Sequence, residues 1–218
     1  MLNELPKRAF FRFEFPIRHI ARPPHIDGSM RKWSEKYLLP PLAELEEVEV
    51  FADVYAAWCE EHLFVAFDVP QRRGVPRCDV EKWWKHDGLR LCIDTRDARD
   101  VKRGTRFCHF FYLLPTGGGG DRKQPVVGLH RMSRAKAPAP GVDVGKIKLG
   151  VQIERTGYSM EAAFPAACLN GWDPRDHRRI GFFYKVSDMH HGDQHLSADD
   201  ESGWNVDPST WATAVLVK

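Results

Sequence analysis

Apolar and polar residues alternate with a period of two through most of this chain, a pattern that buries one side of a strand but cannot bury one side of a helix. Val48, Val50, Ala52, Val54, Ala56 and Trp58 share one parity. Leu63, Val65, Phe67 and Val69 resume it after Glu60-Glu61, which predicts a long antiparallel hairpin. Leu89, Leu91 and Ile93 alternate with Gly88, Arg90 and Cys92, and Phe107 to Leu114 is a mostly apolar run. Ile147, Leu149, Val151 and Ile153 lead through the turn Arg155-Thr156-Gly157 into Tyr158, Met160, Ala162 and Phe164. Ile180, Phe182, Tyr184 and Val186 predict a further strand, and Trp211, Thr213, Val215 and Val217 the last. The clearest helical signal is short: Pro165 to Gly171, with proline in the first turn and Asn170-Gly171 at the exit. Pro41 to Glu47 has room for a turn or two. Many strands at short spacing, joined by turn-rich loops, predict an all-β fold, a jelly-roll-like β-sandwich of two antiparallel sheets with one short helix. No linker divides the chain, so residues 1–218 read as one domain, with 1–24 as an N-terminal extension and 116–145 as a mobile loop region around a short strand at Val126 to His130.

A chain of 218 residues is long enough to bury a substantial core. Lys and Arg number 32 against 30 Asp and Glu, a formal charge of +2 that gives no case for a dedicated nucleic-acid binder. No apolar run approaches the roughly 20 residues that cross a bilayer, so no membrane partner is expected. Met1 to Ile20 mixes Arg, Lys and Glu with Phe and lacks the apolar core of a signal peptide. The five cysteines are odd in number and widely spaced, against a disulfide framework or a CxxC metal site, and Cys59, Cys92 and Cys108 read as small buried hydrophobes within strands. Gly117 to Gly120 neither open a helix nor precede a Gly-Lys-Ser or Gly-Lys-Thr, which argues against a phosphate-binding loop.

The segment Trp83-Trp84-Lys85-His86-Asp87-Gly88-Leu89-Arg90-Leu91-Cys92-Ile93-Asp94 is the candidate functional element, because it places two indoles directly before a strand. Adjacent residues differ in parity, so one tryptophan can anchor the loop while the other, Trp84, faces out as a ligand plate. Trp204 is the second candidate plate; Trp33, Trp58, Trp172 and Trp211 read as core or loop anchors. Asp87 and Asp94 bracket the strand and read as turn caps or structural calcium ligands. Asp188 to His195 carries three histidines suited to a transition metal, yet His190 and His191 are adjacent and would point to opposite faces of a strand. Asp199, Asp200 and Glu201 could offer oxygen ligands to calcium. Nothing resembles a nucleophile elbow or a carboxylate pair flanking a cleft, so the chain reads as a non-enzyme.

Taken in order, these segments resemble the family 9 carbohydrate-binding modules and their wider group of DOMON-like β-sandwiches. The resemblance runs through Ile26-Asp27-Gly28, Trp33-Ser34, the hairpin from Ala52 to Val69, Trp84-Lys85-His86-Asp87 to Ile93-Asp94, Tyr158-Ser159-Met160-Glu161-Ala162, Gly181 to Tyr184 with Asp188, and Trp204 to Trp211. It implies a sugar held between two tryptophans, here Trp84 and Trp204, with polar partners at Arg90, His109 and Glu201. Arg90 stands where an acid is expected, which suggests an anionic sugar, since guanidinium grips carboxylate or sulfate in bidentate fashion. No cofactor is implied beyond a structural calcium. The alternatives are a haem-binding or redox-complex subunit, with Met160, Met189, His109 and His190 as axial-ligand sources, and an interaction or scaffold domain with a degenerate sugar site. Modules of this family ride on exported enzymes, whereas the start of this chain shows no export signal, so the compartment stays open.

Overall fold

The computed structural model describes residues 11–46 and 49–218. Val48 and the first ten residues of the expected N-terminal extension lie outside the described residues. The described residues form eleven strands: β1 (Glu14–His19), β2 (Asp53–Trp58), β3 (His62–Pro70), β4 (Gly88–Asp94), β5 (Cys108–Gly118), β6 (Gln124–His130), β7 (Lys148–Glu154), β8 (Gly157–Pro165), β9 (Arg179–Asp188), β10 (Gly192–His195) and β11 (Ala212–Val217). Their order is β6-β5-β4-β9-β11-β1-β2-β3-β8-β7, with β10 pairing to β9. This path folds over on itself about β1. Side chains from both halves share one core, as where Phe111 of β5 meets Phe164 of β8 with ring centroids 5.0 Å apart. The result is the two-layer all-β sandwich that the alternation predicts.

Most strands match their expected parity. Val54, Ala56, Leu63, Val65, Phe67, Met160, Phe164, Phe182 and Val186 all face the core. Four features differ from expectation. Residues 14–19 are not extension but strand β1, parallel to both β11 and β2, with Phe15 and Ile17 buried. In β11 the core side is Ala212, Ala214 and Leu216, while Val215 and Val217 are half-buried. Phe15 pairs with Ala214 and Ile17 with Leu216, so the ring of Phe15 takes the space beside a small alanine. The Pro165 to Gly171 segment makes a single 3-10 turn, Ala166–Cys168, and no α-helix. Its Ala166 N–H donates to the Glu61 carbonyl at 2.8 Å, which ties the segment to the β2–β3 turn. Finally, residues 116–118 continue β5, and the short strand expected at Val126 to His130 is β6, running Gln124–His130. No helix among the described residues is long and apolar enough to cross a membrane.

The outer face of β2, β3 and β8 is covered by residues 26–37, where Trp33 and Tyr37 pack on Ala57, Phe64 and Ala66. Glu161, wholly buried, holds this cover in place. Its Oε1 accepts from the backbone N–H of Asp27 at 2.6 Å and of Gly28 at 2.8 Å and from Lys32 Nζ at 2.8 Å, and its Oε2 accepts from Trp33 Nε1 at 3.0 Å. Gly28 has φ +85°, and a Cβ there would lie 2.4 Å from the Val151 carbonyl carbon, so the turn passes β7 at a distance only glycine permits. The opposite sheet, β6-β5-β4-β9-β10, therefore carries the outer face with the candidate segment.

Candidate functional site

The Trp83 to Asp87 loop is a 3-10 segment (Val80–Lys85) that leads straight into β4. Gly88 at the junction has φ +131°, and a Cβ there would sit 2.1 Å from the Leu113 carbonyl oxygen, so the loop can press against β5 only with glycine here. Pleating then sets the face. Arg90 pairs with Tyr112 and Lys185, and Cys92 with Phe110 and Phe183, so these side chains share the outer side while Leu89, Leu91 and Ile93 fill the core.

Trp83 lies over this face, stacked on Tyr112 at 4.7 Å and 8°, with its ring centroid 5.6 Å from Phe110 and 5.1 Å from His130. Trp84 stands edge-on to it at 5.8 Å and 85° and is 53% exposed. One indole anchors and the next faces out, as expected, although both stand on the 3-10 segment and not on a strand. Trp204 behaves otherwise. It is buried, stacked on Phe183 at 4.7 Å and 22° and tilted against Phe110 at 5.4 Å, so it is packed into the aromatic row and leaves no gap for a ring between itself and Phe183. Trp84, Trp83, Phe110, Trp204 and Phe183 form one continuous aromatic row.

The polar partners expected from the resemblance are placed differently. Arg90 is 1% exposed, and its guanidinium donates to the carbonyls of Trp83, of His86 at 2.8 Å and of Gly88 at 3.2 Å. Burial lowers its pKa to about 10. These donors clamp the tryptophan loop onto β4, which corrects the expectation of a bidentate anion grip. His109 pairs with Ile93, on the core side, and lies off the outer face altogether; burial lowers its pKa to about 4. Glu201 is exposed on the loop before Trp204, and its neighbour Asp200 takes the structural part. Asp200 accepts from Trp204 Nε1 at 2.9 Å and from Lys185 Nζ at 2.7 Å, and lies 3.2 Å from His195 Nε2; the His195 hydrogen bond, joined by those from Lys185 and Trp204, holds its carboxyl well below the usual range. Lys185 also reaches Asp193 at 2.9 Å, so its charge is matched twice over.

The residues the alternation could not single out are Phe110, Tyr112, Phe183 and Lys185. Strand β5 is apolar on both parities, so only its pairing with β4 shows that Phe110 and Tyr112, and not His109, share the face with Arg90.

Asp87 and Asp94 have structural work. Asp94 accepts from the N–H groups of Arg96 at 3.0 Å and Ala98 at 2.8 Å, capping the turn after β4. Asp87 is buried with Asp188 around Arg72: Nη2 of Arg72 lies 2.5 Å from Asp87 and Nε 2.8 Å from Asp188. Among the described residues no group of three or more His, Cys, Asp and Glu side chains is arranged to hold a metal. In the Asp188 to His195 segment, His191 stacks on Phe51 at 5.1 Å and Asp188 accepts from the N–H groups of His190 and His191. Of the haem-ligand candidates, Met160 is wholly buried in the core and Met189 is 70% exposed. Trp33, Trp58 and Trp211 are buried and Trp172 half-buried, all four as anchors, and all five cysteines are free and buried.

No family model matches the sequence, and no curated protein matches it. Solved structures do match its fold. A family 9 carbohydrate-binding module from Caldicellulosiruptor kristjanssonii, in complex with cellotriose, is 14% identical over 94% of this chain and 94% of its own, with a TM-score of 0.61. The glucose complex of a family 9 module from the same organism gives 13% identity, 94% and 96% coverage and a TM-score of 0.66. A candidate carbohydrate-binding protein from Bacteroides uniformis gives 9% identity, 95% and 100% coverage and a TM-score of 0.55. Across nearly its whole length, the chain therefore has the fold of the family 9 carbohydrate-binding modules.

Proposed function

We propose that this protein is a non-catalytic carbohydrate-binding module whose outer sheet face, at Trp84, receives the apolar face of a neutral sugar. The observation that carries the reading is a half-exposed indole held rigid by an aromatic row beneath it. The axial C–H groups of a pyranose are apolar and its equatorial hydroxyls polar, so an indole plate beside polar side chains suits it. Fixing that plate beforehand reduces the entropy lost on binding. Covering the exposed half of Trp84, about 100 Å², is worth roughly 2–3 kcal/mol at about 25 cal/mol per Å². That is roughly 30- to 150-fold in affinity. The shared fold supports the reading, since its solved examples hold cellotriose and glucose.

Neutral ligands fit better than anionic ones. Arg90 spends its donors on carbonyls, and Lys185 faces both Asp193 and Asp200. The test is calorimetric titration of the wild type and Trp84→Ala with a panel that includes glucose, cellotriose, uronates and sulfated glycans. We expect a neutral sugar to bind and Trp84→Ala to weaken it by the factor above. Binding confined to anionic glycans would overturn the neutral ligand. Binding by none, or binding indifferent to Trp84→Ala, would overturn the site.

A further inference from the structure

Residues 101–106 and 131–136 carry Lys102, Arg103, Arg106, Arg131, Arg134 and Lys136 and no acidic residue. The whole chain has a formal charge of only +2, so everything outside these two segments is net acidic and the cationic charge is gathered here. All six residues are exposed. Among the described residues no ion pair engages any of them. Like charges gathered without counter-charges repel one another, and an anionic partner relieves that repulsion.

The two segments are distant in sequence but fastened to each other. Lys136 N–H donates to the Gly104 carbonyl at 2.8 Å, and Arg103 Nε donates to the Arg134 carbonyl at 2.6 Å. Met132 is buried and Ala135 packs on the core, so the second segment is anchored from beneath. Its backbone is thus positioned before any partner arrives, which reduces the ordering cost of binding. A hollow of about 220 Å³ opens within it, lined by Arg131, Met132, Ser133, Arg134, Ala135 and Pro138. The polar side chains there are two guanidiniums and a hydroxyl, with no carboxylate, a set that suits a sulfate or carboxylate group.

The surroundings favour a polysaccharide over a nucleic acid. Single strands are held largely by bases stacked on exposed aromatic rings. Phe107, which follows the first segment, is already taken by the guanidiniums of Arg96 at 4.7 Å and Arg106 at 5.0 Å. None of the exposed large apolar side chains, Phe11, Leu45, Val75, Trp84 and Met189, lies in either segment. A sulfated or uronic acid polysaccharide asks only for guanidinium, ammonium and hydroxyl donors along its length.

We propose that residues 102–106 and 131–136 form a second binding surface, for an acidic polysaccharide, with one sulfate or carboxylate group seated between Arg131 and Arg134 and the other cations meeting charges further along the chain. The choice of a polysaccharide among polyanions rests in part on the function proposed above. The surface itself stands on the gathered, unpaired charge.

The test titrates dextran sulfate, polygalacturonate, glucose and a single-stranded oligothymidylate into four proteins, each checked for folding by circular dichroism. These are the wild type, Arg131→Gln with Arg134→Gln, the charge-matched Arg122→Gln with Lys123→Gln on the β5–β6 turn, and Trp84→Ala. We expect at least one acidic polysaccharide to bind, and more weakly as salt rises. Loss of Arg131 and Arg134 should weaken it by about tenfold or more. The charge-matched pair and Trp84→Ala should each change it by less than about twofold. If glucose fails to bind while this pattern holds, the neutral-sugar reading fails and the basic surface is upheld. Binding by neither acidic polysaccharide, or an equal loss in the two double variants, overturns the surface. Oligothymidylate binding that is tighter than that of both polysaccharides and is lost with Arg131 and Arg134 overturns the choice of a polysaccharide.

Discussion

Replacing Arg72 by Met should be among the most damaging single changes available outside the apolar core, and its effect should depend on pH in a defined direction. Arg72 is 6% exposed, Asp87 0% and Asp188 3%. The guanidinium bonds both carboxylates and also donates to the carbonyls of Gly74 at 2.5 Å and Arg73 at 3.2 Å. The outer oxygen of Asp87 accepts from the Met189 N–H at 2.7 Å, so this cluster joins the 71–74 turn, the start of β4 and the β9–β10 turn. Burial already raises the Asp87 pKa despite the cation beside it. Methionine fills similar volume but leaves two buried carboxylates uncompensated. Breaking a buried ion pair in this way costs about 3–5 kcal/mol. For a domain of this size each kcal/mol shifts Tm by about 2–4 °C, so a fall of roughly 6–20 °C is expected near pH 7.5.

The pH dependence follows from linkage. Without Arg72 the folded-state pKa of Asp87, already raised by burial, moves further above the unfolded value of about 3.9. A carboxyl shifted upward in the folded state favours folding relative to high pH when it is protonated, and that stability is lost as pH rises through the folded pKa. The deficit of Arg72→Met relative to wild type should therefore be largest near pH 8 and shrink towards about pH 5, by up to about 1.4 kcal/mol per pH unit while Asp87 titrates in that window. Thermal and urea unfolding at both pH values measure it. Adding Asp87→Asn to Arg72→Met should remove the part of the pH dependence that comes from Asp87. A loss below about 1 kcal/mol, or one equal at the two pH values, would refute the reasoning.

His109→Phe should raise stability by about 1 kcal/mol or more, because it removes an imidazole buried without hydrogen-bond partners and keeps a ring in the same place; urea unfolding that shows a loss would contradict the unpaired geometry. Gly88→Ala should cost about 3 kcal/mol or more, combining a positive φ with a Cβ 2.1 Å from the Leu113 carbonyl oxygen, and should be read as a Tm shift. Glu161→Gln should cost about 2–4 kcal/mol, since four donors converge on one carboxylate and an amide would turn an N–H₂ towards some of them; proteolysis should then begin within residues 26–37. Trp84→Ala, by contrast, should leave unfolding within about 0.5 kcal/mol of wild type, as expected of a half-exposed side chain outside the core.

Much of the fold was legible because a strand buried on one face writes that burial into every second residue. The hairpin Asp53–Trp58 to His62–Pro70 and the strands Gly157–Pro165 and Arg179–Asp188 could be read this way. The period fails where both faces are covered. Every residue of Gly88–Asp94 is buried, because the tryptophan loop lies over its outer side, so Arg90 looks like a solvent- or ligand-facing position in the sequence and is neither. The same double cover hid Phe110 and Tyr112. Residues 14–19 gave no strong local signal because their partners, residues 213–217 and 57–58, are far away in the chain and pair with them in parallel.

By itself, the sequence determined the layers and the strands, since these follow from local parity. The tertiary structure decided which side chains meet: Trp204 as wall rather than plate, Arg90 as a clamp on backbone carbonyls, Asp87 in an ion cluster, and His109 buried on the core side. Those depend on register between strands and on contacts between residues far apart in the chain, and neither is carried by the identity of the residue that makes them.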